Sequence, residues 1–183
     1  MTTSKMNKAF FLDRDGVINI DGDYVSTIED FQLIDGVFEA CKIILSQGYK
    51  IIIITNQSGI GRGYYTEEQF FELNRWMIDK FKGGGIHLTD VYFCPHHPTD
   101  AVEPYNIDCE CRKPKPGMIQ KAKVQHDIDL VKSVLVGDRL SDITSGKSAG
   151  VGTLYLVSDG KKVESDAYKC HSLLDAVQQF FNL

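Results

Sequence analysis

At 183 residues, the chain has the length of one domain rather than two, and its 43% hydrophobic content is enough for a core that needs no disulfide framework. Twenty Lys and Arg against 25 Asp and Glu leave a formal net charge of −5, which excludes the broad basic field of a general nucleic-acid binder while leaving room for a local cationic pocket. No apolar run approaches the ~20 residues of a membrane span, and the polar stretch 1–8 lacks the apolar centre of a secretory signal, so the expectation is a cytoplasmic protein whose five cysteines serve something other than disulfides.

Apolar β-rich runs alternate with helical patterns. Residues 9–12 read as a buried strand. Asp35 is placed to N-cap a helix over 35–47, with Val37, Ala40, Cys41 and Ile44 on one face and Gly48 closing it. Residues 50–54 form a second strand, apolar on both faces as in a parallel sheet. Thr66 and Gln69 make a capping box for a helix carrying Phe70, Leu73, Met77 and Phe81 at helical spacing, on which Trp76 reads as a packing residue. A third strand covers 91–93, and Pro116 suits the first turn of a helix reaching about Gln125. Strands at 133–136 and 152–157 follow, and Ser172 with Asp175 opens a last helix ending in Phe180 and Phe181. This order specifies an α/β fold, a doubly wound and mainly parallel sheet with helices on both faces. Sites on such sheets lie beyond the carboxyl ends of the strands.

Three of the strands end in polar residues suited to one reaction. The first runs into Asp13-Arg14-Asp15-Gly16, the second into Thr55-Asn56-Gln57-Ser58, and the fourth into Gly137-Asp138-Arg139, with Asp142 close behind. Taken singly, each is an ordinary loop start or turn. Together on successive apolar strands they cannot be explained by packing, and close carboxylates need a cation or a shared proton. Oxygen ligands of this kind suit Mg²⁺, with Asp13 and Asp138 as the natural side chains. Asp13 can attack phosphorus, and Asp15 can protonate a leaving alcohol and later activate water. Thr55 and a lysine, Lys113 or Lys115, can hold phosphoryl oxygens, while Arg14, Arg112 and Arg139 add guanidinium groups near the mouth. Cys94-Pro95-His96-His97 and Cys109-Glu110-Cys111 offer ligands for a tetrahedral zinc ion that would leave no open position, hence a structural site. Cys41 and Cys170 read as small buried hydrophobes, and His87, His126 and His171 as surface residues.

The segments 13–19, 55–63, 111–117 and 137–138 resemble the four motifs of the haloacid dehalogenase superfamily, over nearly the whole chain and most closely in the branch that removes the 7-phosphate from heptose 1,7-bisphosphates. The resemblance implies Asp13 as nucleophile and Asp15 as acid and base. It selects Lys113, with Thr55, to stabilise the phosphoryl group, and gives Arg112 to substrate recognition. Mg²⁺ would bind the Asp13 and Asp138 carboxylates and the Asp15 carbonyl, and Zn²⁺ would bind Cys94, His96, Cys109 and Cys111, with His97 the competing nitrogen. Asp21, Gly22, Asp23 and Tyr24, Asn56, Gln57 and Ser58, and Arg139 (where the branch has Lys) would contact the sugar bisphosphate. The chain is then a single domain over 1–183, without a large cap, carrying a zinc loop at about 94–111 and acting as a monomer on a small molecule, with no nucleic-acid or membrane partner. The competing expectations are a histidinol-phosphate phosphatase and, outside enzymes, a phospho-acceptor signalling domain. The second carboxylate, Asp15, favours turnover over signalling.

Overall fold

The computed structural model describes residues 6–158 and 164–183. Six strands, β1 (Ala9–Leu12), β2 (Lys50–Asn56), β3 (Asp90–Cys94), β4 (Val134–Gly137), β5 (Thr153–Val157) and β6 (Tyr168–Cys170), form one sheet in the order β3-β2-β1-β4-β5-β6. Every pairing between neighbours is parallel. Among the described residues, six α-helices accompany them: α1 (Val37–Ser46), α2 (Ser58–Gly61), α3 (Glu67–Gly83), α4 (Gly117–His126), α5 (Leu140–Ala149) and α6 (Leu173–Phe181).

The alternation of side chains along a strand divides the core into two layers. Phe10, Leu12, Ile51, Ile53, Val134 and Val136 face the layer filled by α1, α3 and α6. Ala9, Phe11, Ile52, Ile54 and Leu135 face the other, filled by Met118, Ile119 and Ala122 of α4 and Ile143 and Ala149 of α5. Phe10 illustrates the packing. It is fully buried and meets the rings of Tyr49, Phe180 and Phe181 at 5.1, 5.6 and 5.9 Å, a burial worth roughly 1.5–3 kcal/mol. Cys41 and Cys170 lie in the first layer, and Trp76 packs edge-on against Phe31, as the sequence indicates.

Local signals hold where they are strongest. The Thr66 hydroxyl accepts from the Gln69 N–H, and the Gln69 side chain accepts from the Thr66 N–H, so α3 begins in a capping box. Ser172 caps α6 by accepting from Asp175 N–H. Elsewhere the structure corrects the sequence reading. Gly36, in the left-handed region at φ 82°, and not Asp35, occupies the N-cap of α1. Pro116 sits at the N-cap of α4, one position before the helix. The sheet has a sixth strand, β6, and α5 follows β4 directly. His126 is not a bare surface residue, since its Nε2 lies 2.9 Å from Asp90 Oδ2.

Register is what builds the site. Leu12 pairs with both Ile53 and Val136, so β1, β2 and β4 end at nearly the same level. Asp13, Thr55 and Asp138 therefore emerge along one edge. Among the described residues, no second sheet or helical unit is inserted after β1 or between β3 and α4, so loops and the first turns of α2 and α5 border that edge. No helix of the described residues is long and apolar enough to cross a membrane.

Candidate active site

Asp13 leaves β1 with its backbone still tied to the sheet, its N–H donating to Val136 O at 3.0 Å. The chain then turns sharply through Gly16, whose φ is 87°. A Cβ at Gly16 would fall 2.3 Å from Asp138 Oδ2, so glycine here meets two demands at once, a left-handed backbone and the close approach of a carboxylate.

The centre is a buried charge cluster. Lys113 Nζ stands 2.8 Å from Asp13 Oδ1 and 2.7 Å from Asp142 Oδ1, and it also donates to Ile54 O at 2.9 Å. Burial opposes the charge on Lys113, but Asp13 and Asp142 outweigh it and hold the ammonium above its ordinary range. Burial drives Asp13 the other way, well above the usual carboxylate range. Lys113 counters this, and the nearby Asp142, Asp138 and Asp15 add to it. Asp138 is raised to about 6, first by burial and then by Asp142, against Arg139. Asp13, Asp138 and Asp142 each bring an oxygen within 4.8 Å of the others. Of these, Asp138 Oδ1 is buried without a hydrogen-bond partner. A set of hard oxygen donors with one orphaned carboxylate oxygen fits a small divalent cation.

Asp15 lies beside this cluster under a ring of donors. Arg14 bonds it from Nε at 3.2 Å and Nη2 at 2.8 Å, Asn19 Nδ2 at 3.0 Å and Gln57 Nε2 at 3.1 Å. Arg14 is only 2% exposed and its Nη2 also donates to Val25 O. It therefore supports Asp15 from beneath instead of standing at the mouth, because a buried guanidinium paired with a carboxylate is satisfied there and costly to leave unpaired.

Lys113 is presented by its loop with help from Asn56, whose Oδ1 accepts from Lys113 N at 3.0 Å and whose Nδ2 donates to Lys113 O at 3.1 Å. Lys115 points elsewhere, pairing with Asp108 and Glu110 on the surface, so geometry separates two lysines that the sequence leaves equivalent. The same loop leads back to Cys94, His96, Cys109 and Cys111, whose ligand atoms gather within 4.8 Å. His96 Nδ1 lies 3.6 Å from Cys94 Sγ and 3.5 Å from Cys111 Sγ. His97 is turned away, its Nδ1 accepting from Asp100 N at 3.0 Å. Three sulfurs and one imidazole, all converging, fit a tetrahedral zinc ion. Hydrogen bonding with Cys94, and then with Cys109 and His96, draws the Cys111 thiol below its ordinary range. Arg112 Nη1 donates to His96 O at 3.1 Å, which ties the guanidinium to the cluster.

These elements enclose a cavity of about 450 Å³. Asp13, Asp15 and Lys113 form its floor and Asn56, Gln57 and Ser58 one wall. Asp21, Asp23, Tyr24, Arg112 and Arg139 reach the rim. Thr55 is buried beneath it, its Oγ1 accepting from Gln57 Nε2 at 2.8 Å. Asp138 faces an adjoining cavity, and Gly22 does not reach the lining. Arg139 Nη2 is paired with Asp21 Oδ2 at 2.7 Å. Asp23 and Tyr24 have φ of 52° and 65°, an uncommon conformation for a bulky side chain, which turns the Tyr24 ring toward Tyr64 and Arg62. The sequence reading placed Asp142 beside the fourth strand end without giving it a role, and gave none to the side chains of Arg62, Tyr65 and Ser141; all four line the cavity. Asp142 had a usable signal, a carboxylate in the first turn of a helix that follows β4.

A parallel sheet of this order, with paired aspartates after β1, a lysine reaching them from the α4 side and a further aspartate after β4, defines a phosphatase of the haloacid dehalogenase-like class. Comparison agrees: a family model described as HAD-hydrolase-like matches residues 110–179. The chain is 46% identical over 158 residues to D-glycero-beta-D-manno-heptose-1,7-bisphosphate 7-phosphatase of Yersinia pestis, covering 86% of this chain and 84% of that one. It is 48% identical over 174 residues to D-glycero-alpha-D-manno-heptose-1,7-bisphosphate 7-phosphatase of Campylobacter jejuni, covering 95% of each. In structure it matches D,D-heptose 1,7-bisphosphate phosphatase from B. bronchiseptica, described as complexed with magnesium and phosphate, with a TM-score of 0.83 at 28% identity, covering 96% of this chain and 98% of that one. The chain belongs to the D-glycero-D-manno-heptose-1,7-bisphosphate 7-phosphatase family.

Proposed function

We propose that this chain, as a single catalytic domain with a zinc loop at about 94–111, removes the 7-phosphate of D-glycero-D-manno-heptose 1,7-bisphosphate and leaves heptose 1-phosphate. The observation that carries the reading is the Lys113 ammonium on Asp13 Oδ1 at 2.8 Å, with Asp15 in the same cavity. It pairs a nucleophile with a cation able to hold the phosphoryl oxygens. The names of the relatives supply the substrate.

Asp13 attacks phosphorus, an Asp13–phosphorus bond forms and the bond from phosphorus to the C7 oxygen breaks. Asp15 gives its proton to that oxygen. Water then attacks the aspartyl-phosphate, Asp15 takes the water's proton, and Asp13 is released with inorganic phosphate. Lys113 holds equatorial oxygens by charge. Thr55, whose oxygen already accepts from Gln57, keeps its own O–H free to donate to the phosphoryl group. Asp13, Asp138 and the Asp15 carbonyl would hold Mg²⁺, which when bound neutralises charge on the phosphoryl group. Cys94, His96, Cys109 and Cys111 would hold Zn²⁺ in a structural role, fixing the loop that presents Arg112 and Lys113. At the rim, Arg112 and Arg139 are the groups for the remote phosphate, and Asp21, Gly22, Asp23 and Tyr24 for sugar hydroxyls, with Asn56, Gln57 and Ser58 along the wall. The retained anomeric phosphate suits nucleotide activation on the way to lipopolysaccharide or other surface glycans, and the enzyme is proposed to act as a cytoplasmic monomer.

Relatives of both anomeric classes match at similar identity, so the test measures kcat/KM on both heptose bisphosphate anomers, sugar monophosphates and histidinol phosphate, with and without Mg²⁺. The expected result is the highest value on a heptose bisphosphate, sustained over many turnovers and dependent on Mg²⁺. A preference for histidinol phosphate overturns the substrate, and a single phosphorylation without turnover overturns the enzyme.

A further inference from the structure

We infer that Tyr65, a residue outside the recognised motifs, is a positioning residue that acts through Gln57 to aim the Asp15 carboxylate at the leaving oxygen. Tyr65 is 6% exposed and its ring fills an apolar cluster with Ile60 and Phe70. A phenylalanine would fill that space equally well. A hydroxyl buried among apolar groups is costly unless bonded, and this one donates to Gln57 Oε1. Burial raises the Tyr65 hydroxyl above its usual range, so it remains a donor. The Asp15 carboxylate accepts and cannot donate, so the Gln57 amide nitrogen faces the site, where its two N–H groups reach Asp15 Oδ2 at 3.1 Å and Thr55 Oγ1 at 2.8 Å. The Tyr65 hydroxyl then anchors the opposite end of the amide at Oε1.

The approach of Tyr65 is built into the backbone. A Cβ on Gly59 would lie 2.2 Å from Tyr65 Cε1, so the glycine lets the ring slide under α2 to reach Gln57. Of the two Asp15 oxygens, Oδ1 takes the short Arg14 bond at 2.8 Å and the Asn19 bond, whereas Oδ2 has only the longer contacts from Gln57 and Arg14 Nε. Oδ2 is thus the oxygen whose direction depends on Gln57.

The inference rests on the proposed role of Asp15 as acid, and leaving groups test both separately. A sugar alkoxide needs a proton as it departs, whereas p-nitrophenolate leaves without one. Tyr65→Phe, Gln57→Met, the double variant and Asp15→Asn are compared by rapid-mixing first turnovers on heptose bisphosphate and p-nitrophenyl phosphate. In Tyr65→Phe the sugar reaction is expected to slow at least about tenfold, with KM and the nitrophenol burst each within about twofold. Gln57→Met is expected to slow the sugar reaction more than the aryl one, and adding Tyr65→Phe to it to cost less than about twofold more, as for residues acting in series. Equal slowing of both substrates in Tyr65→Phe, or additive losses in the double variant, overturns the inference while a leaving-group split in Asp15→Asn leaves the acid in place. If Asp15→Asn itself shows no split, the Asp15 reading fails and this inference with it.

Discussion

The ammonium of Lys113 lies 2.8 Å from Oδ1 of Asp13, 100 residues away in sequence, and it balances Asp142 at 2.7 Å as well. One buried cation thus compensates two carboxylates in a place that none of the three could occupy alone. Lys113→Met is expected to lower unfolding free energy by about 3 kcal/mol in metal-free buffer, the cost of breaking a buried pair from one side. It is also expected to reduce kcat by roughly 10²–10³, through loss of a donor to the phosphoryl oxygens. Urea denaturation and steady-state kinetics on the same preparation measure both.

Asp13→Asn preserves volume and removes the nucleophile together with one oxygen of the aspartate cluster. Folding is expected to survive, because the substitution removes a carboxylate that burial already disfavours. Turnover is expected to vanish. Circular dichroism with a phosphate-release assay on contamination-free protein decides the matter, and near-native turnover would contradict the covalent route.

The cysteine and histidine cluster predicts one equivalent of zinc in protein purified without chelators, measured by elemental analysis. Cys109→Ala is expected to lose the zinc and lower Tm. It is also expected to lower kcat, because Arg112 is hydrogen-bonded to the main chain of His96 and Lys113 follows two residues after Cys111. Zinc-free protein with wild-type Tm and activity would contradict a structural metal.

Arg112 reaches the cavity rim, whereas the reacting carboxylates lie on the floor. Arg112→Ala is therefore expected to lower kcat/KM about tenfold or more on a bisphosphate, and by much less on p-nitrophenyl phosphate, which carries no second anion. Equal losses on the two substrates would remove Arg112 from recognition of the remote phosphate.

Much of the site was legible because the chemistry sits at strand ends, where apolar runs stop abruptly at Asp13, Thr55 and Asp138. The four core positions of α1, the Thr66–Gln69 capping box and the Ser172 cap were legible for a similar reason, being local patterns. What stayed hidden depends on contacts distant in sequence. Arg14 resembles a rim cation until the fold closes Val25 over it. His126 finds Asp90 only because α4 packs beside β3. β6 has three residues, two of them exposed, too short for an alternation to register. α5 has a sequence rich in Ser, Gly and Thr, weak helix formers that hide a helix whose small residues let it approach β4 and β5. Asp35 has the side chain of an N-cap, yet Gly36 takes the position because it adopts φ 82° without strain.

Phosphorus NMR of heptose 1,7-bisphosphate during turnover with Mg²⁺ tests the site of hydrolysis most directly. The C7 phosphate resonance is expected to give way to inorganic phosphate while the anomeric C1 phosphate persists. Loss of the C1 resonance with the C7 phosphate retained would contradict hydrolysis at C7.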